Sequence, residues 1–320
     1  MNQIVKDPVL KDRLKDINLS DFLTYSYCII DDIFQEFKCY ALRKGPACSF
    51  SDSEIICLNL VGQMVCDSEL SWHGFVAKNH IDLFPKLLER SRYHRRCKDL
   101  QAITELIRYK FIFLMDYHLQ KWHIMDSIAA ANRPVPVCIY VRASRNLRFA
   151  TEFGVNNADL YGHCASKKED IYGFKLHLIT TTTGVPVHYV LAPAAHHDVA
   201  VAPELIETYN KNILILGDKG YVGLEKRLHK PQDYQLIIQA RDNMSAQNTA
   251  IEKRFLGVFR KTIESTNALL AGQFNIQFTR AKSAWGLSNR VIAKITALTF
   301  AIFLNFIAEM PILQVKNFIF

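Results

Sequence analysis

Apolar residues recur at helical spacing through roughly the first hundred positions of the 320-residue chain, then give way to strand-like runs. Asp21–Arg43 carries the helical pattern with Ser20 placed to cap it. Phe50-Ser51-Asp52-Ser53-Glu54-Ile55 is a sharper signal. Ser51 and Glu54 fit a capping box, Phe50 and Ile55 fit a hydrophobic staple, and the helix continues through Ile56, Leu60 and Met64. A polar break at Cys66-Asp67-Ser68 leads to a helix over Glu69–Val76, and His80–Phe84 with Pro85 makes another break. A basic helix is expected around Lys86–Lys98, followed by a long amphipathic helix over Leu100–Leu119.

From Trp122 the periodicity shortens. Trp122-His123-Ile124-Met125 reads as a strand ending at Asp126-Ser127, with a Pro-containing loop at Asn132–Pro136 and a basic, irregular stretch (Arg142, Arg145, Arg148) continuing to about Glu169. Tyr172–Thr182 alternates: Tyr172, Phe174, Leu176 and Leu178 share one face, Lys175 and His177 the other. Thr183-Gly184 predicts a tight turn, with Val185–Ala192 returning as the partner strand. His196-His197-Asp198 precedes a helix over Val199–Tyr209, with Asp198 a candidate cap. The apolar run Ile213–Leu216, closed by Gly217-Asp218, reads as a strand buried on both faces. A short helix near Leu224–His229, a strand over Tyr234–Gln239, a helix over Thr249–Leu270 and an apolar C-terminal helix complete the chain.

This order predicts an α/β fold: a mixed sheet of ribonuclease-H-like type flanked by helices, with an antiparallel hairpin near its start, preceded by an all-α region. The boundary falls at 119/120, giving a helical region 1–119 and a domain 120–320. Val291–Ala308 is apolar enough to resemble a membrane span, but Lys294 and Asn305 interrupt it, so a buried core helix is expected and no membrane partner.

Composition adds constraints. With 49% hydrophobic residues the chain is of globular type. Its net charge of +8 favours a polyanionic partner without requiring one. None of the eight cysteines forms a C-x-x-C pair, which argues against a zinc ribbon. The polar Met1–Asp16 stretch does not read as a secretory leader, and a reducing cytoplasm is expected. Short helices, a tight turn and a basic helix are the parts of a helix-turn-helix DNA reader, with Arg90, Arg92, Arg95, Arg96 and Lys98 as contacts; a solvated charged face is the alternative.

Three carboxylates stand where such a sheet could gather them: Asp126 at the end of the first strand, Asp218 at the end of a neighbouring strand, and Glu264 on the late helix. Converging carboxylates repel, so a divalent cation would keep them ionised. Spacing alone leaves simpler roles open. Asp218 could cap its own turn, Asp126 could form an Asx turn with Ser127, and Glu264 could pair with Arg260 four residues earlier. Lys175, Lys219 and Arg260 are further candidates for phosphate contact, each also readable as ordinary surface charge, and Arg260 could instead orient Glu264. His196 and His197 lack further ligands at suitable spacing for zinc.

Taken together and in order, these motifs resemble those of bacterial insertion-sequence transposases of the DDE class, and more narrowly the nine-eighty-two group. The matching text is Ser51-Asp52-Ser53-Glu54, Asp126-Ser127 with Pro134-Val135-Pro136-Val137-Cys138, Tyr172-Gly173-Phe174-Lys175-Leu176-His177, Gly184 with Pro186, His197-Asp198-Val199, Gly217-Asp218-Lys219-Gly220-Tyr221, and Arg260 with Ile263-Glu264. The resemblance implies a ribonuclease-H-like catalytic domain with Asp126, Asp218 and Glu264 as catalytic ligands of Mg2+ (Mn2+ substituting), two ions in all. It also implies double-stranded DNA as partner (element ends and target), a homodimer on DNA, and a nucleoid-associated, bacterial cytoplasmic location. The implied chemistry is strand cleavage that frees a 3′ hydroxyl, followed by attack of that hydroxyl on target DNA.

One departure stands out. In the family pattern the Pro-Val-Pro-Val-Cys run follows Asp-Ser almost directly, whereas here Ile128–Arg133 intervenes, with Ala129–Ala131 in its middle. It is either a loop extension or a lesion. A DNA-binding relic without catalysis therefore stays open, as does a structure-directed nuclease of the same fold.

Overall fold

The computed structural model describes residues 14, 17–41, 49–66, 68–119, 127–164, 169–207 and 213–315. The chain divides into two compact units. The first comprises Met1–Tyr117, Gly272–Asn275 and Trp285–Phe320; the second comprises His118–Ala271 and Ile276–Ala284. The C-terminal segment, expected with the sheet, thus falls in the helical unit.

In the helical unit, α1 (Leu19–Phe37) is capped by Asn18 rather than the expected Ser20: the Asn18 side chain accepts from the Asp21 amide at 2.9 Å. The capping box on α2 (Asp52–Val65) forms as expected, with Ser51 Oγ accepting from Glu54 N and the Glu54 carboxylate accepting from Ser51 N. The α2 helix is buried almost all round, and α3 (Glu69–Asn79) packs Trp72 so closely on it that the indole donates to the Leu58 carbonyl at 2.8 Å. The basic helix α4 (Arg90–Asp99) begins four residues later than expected, because Glu89 caps it by accepting from the amides of Ser91 and Arg92. After α5 (Gln101–Leu119), this unit is completed by α9 (Ala284–Ile307), nearly all of whose side chains are buried. Phe111 of α5 stacks on Phe300 and Phe303 at 5.1 and 5.0 Å. Lys294, the charge that interrupts the apolar run, is buried and donates to the Phe274 carbonyl at 2.6 Å. Among the described residues α9 is the one helix long and apolar enough to cross a membrane, and 89% of its apolar window is buried within the protein.

The second unit is built on a six-stranded sheet. Its strands are β1 (Ser127–Cys138), β2 (Tyr161–Cys164), β3 (Glu169–Thr181), β4 (Pro186–Pro193), β5 (Ile213–Gly217) and β6 (Tyr234–Ile238). The long β3 is central. It pairs with β1 on one side, and with β2 and then β4 on the other, all antiparallel. β1 pairs with β5 and β5 with β6, both parallel. It follows that β1, β4 and β5 run the same way, and their carboxyl ends lie at one end of the sheet. That end is where open α/β sheets place their ligands. The β2 strand and the short α6 (Arg148–Phe153) lie in the stretch read as irregular.

The first strand differs from expectation. Residues 122–125 lie outside the described residues, and the segment read as a Pro-containing loop is part of β1. Pairing with β5 ends at Ala130, so Pro134 and Pro136 sit where β1 has only β3 as a neighbour. A missing N–H costs least on such a one-sided stretch.

The two faces of β3 are both covered. Leu176 and Leu178 are buried on one face; on the other, Ile179 packs with Ala202, Leu205 and Ile206 of α7 (Asp198–Ile206), and with Ile215 and Tyr221. The last helix of this unit, α8 (Ala250–Gly272), opens with a capping box between Thr249 and Glu252 and buries Ile263, Thr266, Asn267 and Leu270 on one stripe. Thr266 Oγ1 donates to the Gly184 carbonyl at 2.8 Å, fixing this helix to the β3–β4 turn.

Gly62 tests the α2–α3 packing. A Cβ there would lie 2.4 Å from Trp72 Cδ1. Gly62→Ala should cost about 1–3 kcal/mol by overpacking, read as a lowered urea midpoint; an unchanged midpoint would show that Trp72 is free to shift.

Candidate active site

Asp218 follows the last residue of β5, so a buried strand delivers a carboxylate to the sheet's ligand-binding end. Its Oδ1 accepts from the Lys219 amide at 2.7 Å, which orients the group. Across from it, Arg260 of α8 donates through Nε to Glu264 Oε1 at 2.8 Å, while its Nη1 lies 3.9 Å from Asp218 Oδ1 and donates to Gln239 Oε1 at 3.2 Å. One guanidinium therefore links both carboxylates. Glu264 and then Asp218 are also why the guanidinium binds its proton more tightly than usual. All three side chains are more than half exposed, so solvent and a large ligand can reach them.

The helical spacing of Arg260 and Glu264 promised this pair, and the structure forms it. Gln239 and Asp242, by contrast, were not singled out from the sequence. Gln239 is held by its amide donating to the Gly217 carbonyl, and Lys219 Nζ lies 3.4 Å from Asp242. The signal for both was their place just after β6, the strand that pairs with β5.

Asp126 lies outside the described residues. The described part of the first strand opens at Ser127, in register with Leu214, and Ala130 stands beside Gly217. Along its described length β1 carries no acidic residue. Among the described residues no three His, Cys, Asp or Glu side chains form a ready metal cluster. The donor set still suits a hard divalent cation, because Mg2+ takes one or two protein carboxylates and fills its remaining sites with water and substrate phosphate.

Lys175 and His177 do not form the solvated strand face that was the alternative to phosphate contact. Lys175 Nζ donates to the His196 carbonyl at 3.2 Å and lies 3.9 Å from Asp198 Oδ1. His177 is fully buried and neither ring nitrogen has a hydrogen-bond partner. Nor is Asp198 the helix cap: that position is His197, and Asp198 is the first residue of α7.

The basic helix divides its residues. Arg90, Arg92 and Arg95 are exposed and Lys98 half-buried. Arg96 departs from the expected DNA contact: it is buried, donating through Nε and Nη2 to Asp52 at 2.8 and 2.6 Å, so its charge is committed to the amino end of α2. A buried pair of this kind loses about 3–5 kcal/mol if one partner is removed.

Residues 148–300 match the family model described as a transposase DDE domain. The match covers just under half of the chain, including Asp218, Arg260 and Glu264, and begins after β1. It supports a transposase of the DDE class in general terms. No curated protein and no solved structure matches the chain.

His177 gives this region a pH signature. Burial first, then the charges of Lys175 and His196, lowers its pKa from 6.5 to about 4. As pH falls below about 6.5 the unfolded chain takes up a proton that the folded chain refuses. The stability associated with neutral His177 is therefore complete above about 6.5 and is lost progressively down to about 4, by about 3 kcal/mol in all. His177→Gln should flatten that part of the stability–pH curve in urea titrations at pH 4.5 and 7.5. An equally steep curve in the variant would assign the slope to other groups.

Proposed function

We propose that the protein is a DNA transposase of the DDE class that cuts and joins DNA strands at the ends of an insertion sequence of the nine-eighty-two group, on a ribonuclease-H-like catalytic domain. The observation that carries the reading is the pairing of Asp218 with Glu264 through Arg260 at the carboxyl end of β5. The matched family span and the strand order β4-β3-β1-β5-β6 lend it further support.

In this reading Asp218 and Glu264 hold Mg2+, one or two ions, with Asp126 as the third expected ligand. When bound, the ions supply activation of the attacking oxygen and stabilisation of the leaving oxygen in phosphodiester chemistry. The chain's own part is electrostatic and positional. Arg260 holds Glu264 at a fixed angle, the Lys219 amide turns Asp218, and Lys219 places a positive charge next to the phosphates of the bound strand. No side chain serves as a nucleophile, so no covalent protein–DNA intermediate forms. Exposed Arg90, Arg92 and Arg95 of α4, with Lys98, contact duplex phosphates, and two copies act together on paired ends.

A second reading is favoured by one observation: the described β1 brings Ala130, not a carboxylate, beside the end of β5. A relic that binds DNA without cutting it is the form this would take.

A nicking assay on DNA carrying the element ends, with Mg2+ or Mn2+, separates the two. The wild-type chain should cleave, while Asp218→Asn and Glu264→Gln should each lose cleavage by about a hundredfold or more and keep DNA affinity. Binding without cleavage by the wild type supports the relic, and cleavage undiminished in Asp218→Asn removes Asp218 from the site.

A further inference from the structure

Asp198 reaches the same end of the sheet by a separate route. β4 runs parallel to β5, and α7 begins five residues after β4 ends, so its first turn lies at the carboxyl end of both strands. The Asp198 carboxylate approaches the turn that follows Asp218: a Cβ on Gly220 would stand 3.0 Å from Asp198 Oδ2. A side chain at 220 would press on this carboxylate, and glycine leaves it room.

Two buried polar groups of this unit have no hydrogen-bond partner, and one of them feels the charge of this carboxylate. Tyr221 is 2% exposed, and its hydroxyl has no hydrogen-bond partner although the charges of both Asp198 and Asp218 act on it. His177, fully buried, has neither ring nitrogen satisfied and feels the charge of Lys175, a cation 3.9 Å from Asp198. Buried polar atoms are rarely left unpaired in a finished site. Here the Tyr221 hydroxyl lies in the field of both carboxylates, with Lys175 beside Asp198 and Arg260 beside Asp218.

We propose that Asp198 is a cation ligand, acting with Asp218 across the Gly220 turn and drawing a hard divalent ion and its water shell to the β4–β5 side of the site. The assignment rests on the cation-dependent reading given above. It also meets the difficulty posed by β1, since a second carboxylate approaches the turn after Asp218 without any acidic residue from that strand. Lys175 balances Asp198 when no ion is bound, and Tyr221 Oη and the His177 ring are the groups positioned to meet the ion's water shell.

The test is Mn2+ binding by the full-length chain without DNA, measured by titration calorimetry. Asp198→Asn and Asp218→Asn should each weaken binding by about tenfold or more, while Asp170→Asn, on an exposed carboxylate paired with His163, should change nothing. Gly220→Ala keeps every charge but crowds the Asp198 carboxylate, and should weaken binding about threefold or more. It also serves if Asp198→Asn does not fold, as judged by its melting transition. Binding within twofold of wild type in Asp198→Asn, or in folded Gly220→Ala, with Asp218→Asn impaired, overturns the role of Asp198 alone. If Asp218→Asn also binds Mn2+ normally, the cation-dependent reading itself fails.

Discussion

The arrangement of this sheet end depends on one guanidinium. Arg260 stands among Asp218, Glu264 and Gln239, which come from the end of β5, the same turn of α8 and the residue after β6. Two carboxylates brought together repel unless a positive charge is present. The guanidinium supplies that charge and links strand and helix at the site. Its contacts are exposed, so their worth is positional rather than a large stabilisation. The rigidity comes from beneath: Ile215 and Tyr221 pack with Ile179 and α7, and Thr266 fastens α8 to the β3–β4 turn.

Much of this was legible in the sequence. The apolar run ending at Gly217-Asp218 specified a buried strand with a carboxylate at its tip, because a run of that length with no polar alternation must be covered on both faces. The spacing of Arg260 and Glu264 specified their pairing. Ser51 and Glu54 specified the start of α2. The strand carrying the Pro-Val-Pro-Val-Cys run was misread, because proline argues against a strand when neighbours are unknown; here the prolines fall beyond the reach of β5. Register between parallel strands is a tertiary property, and nothing local shows that Ala130 lies beside Gly217.

Charged residues were the hardest to place. Arg96 looks like its neighbours Arg92 and Arg95 in the sequence, but the stripe of Tyr93, Arg96 and Cys97 is the one α4 buries, and Asp52 waits at the end of α2 to receive the guanidinium. Lys175 and His177 occupy the polar phase of an alternating strand, yet α7 and its preceding loop cover them. Asp198 stands one residue inside the cap position held by His197, and its carboxylate lies against Gly220. Its role is set by two segments some twenty residues apart, which periodicity cannot connect. The same fold explains the apolar C-terminal helix, whose Lys294 finds a carbonyl partner inside the helical unit.

A crystal structure of the protein with Mn2+, with anomalous difference density collected at the manganese edge, tests the central claim most directly. The account predicts a peak at the carboxyl end of β5, within about 2.0–2.3 Å of a carboxylate oxygen of Asp218, with Arg260 no longer supplying the only positive charge between Asp218 and Glu264. Manganese bound elsewhere, with Asp218 still turned to the Lys219 amide and Arg260 unmoved, would contradict it.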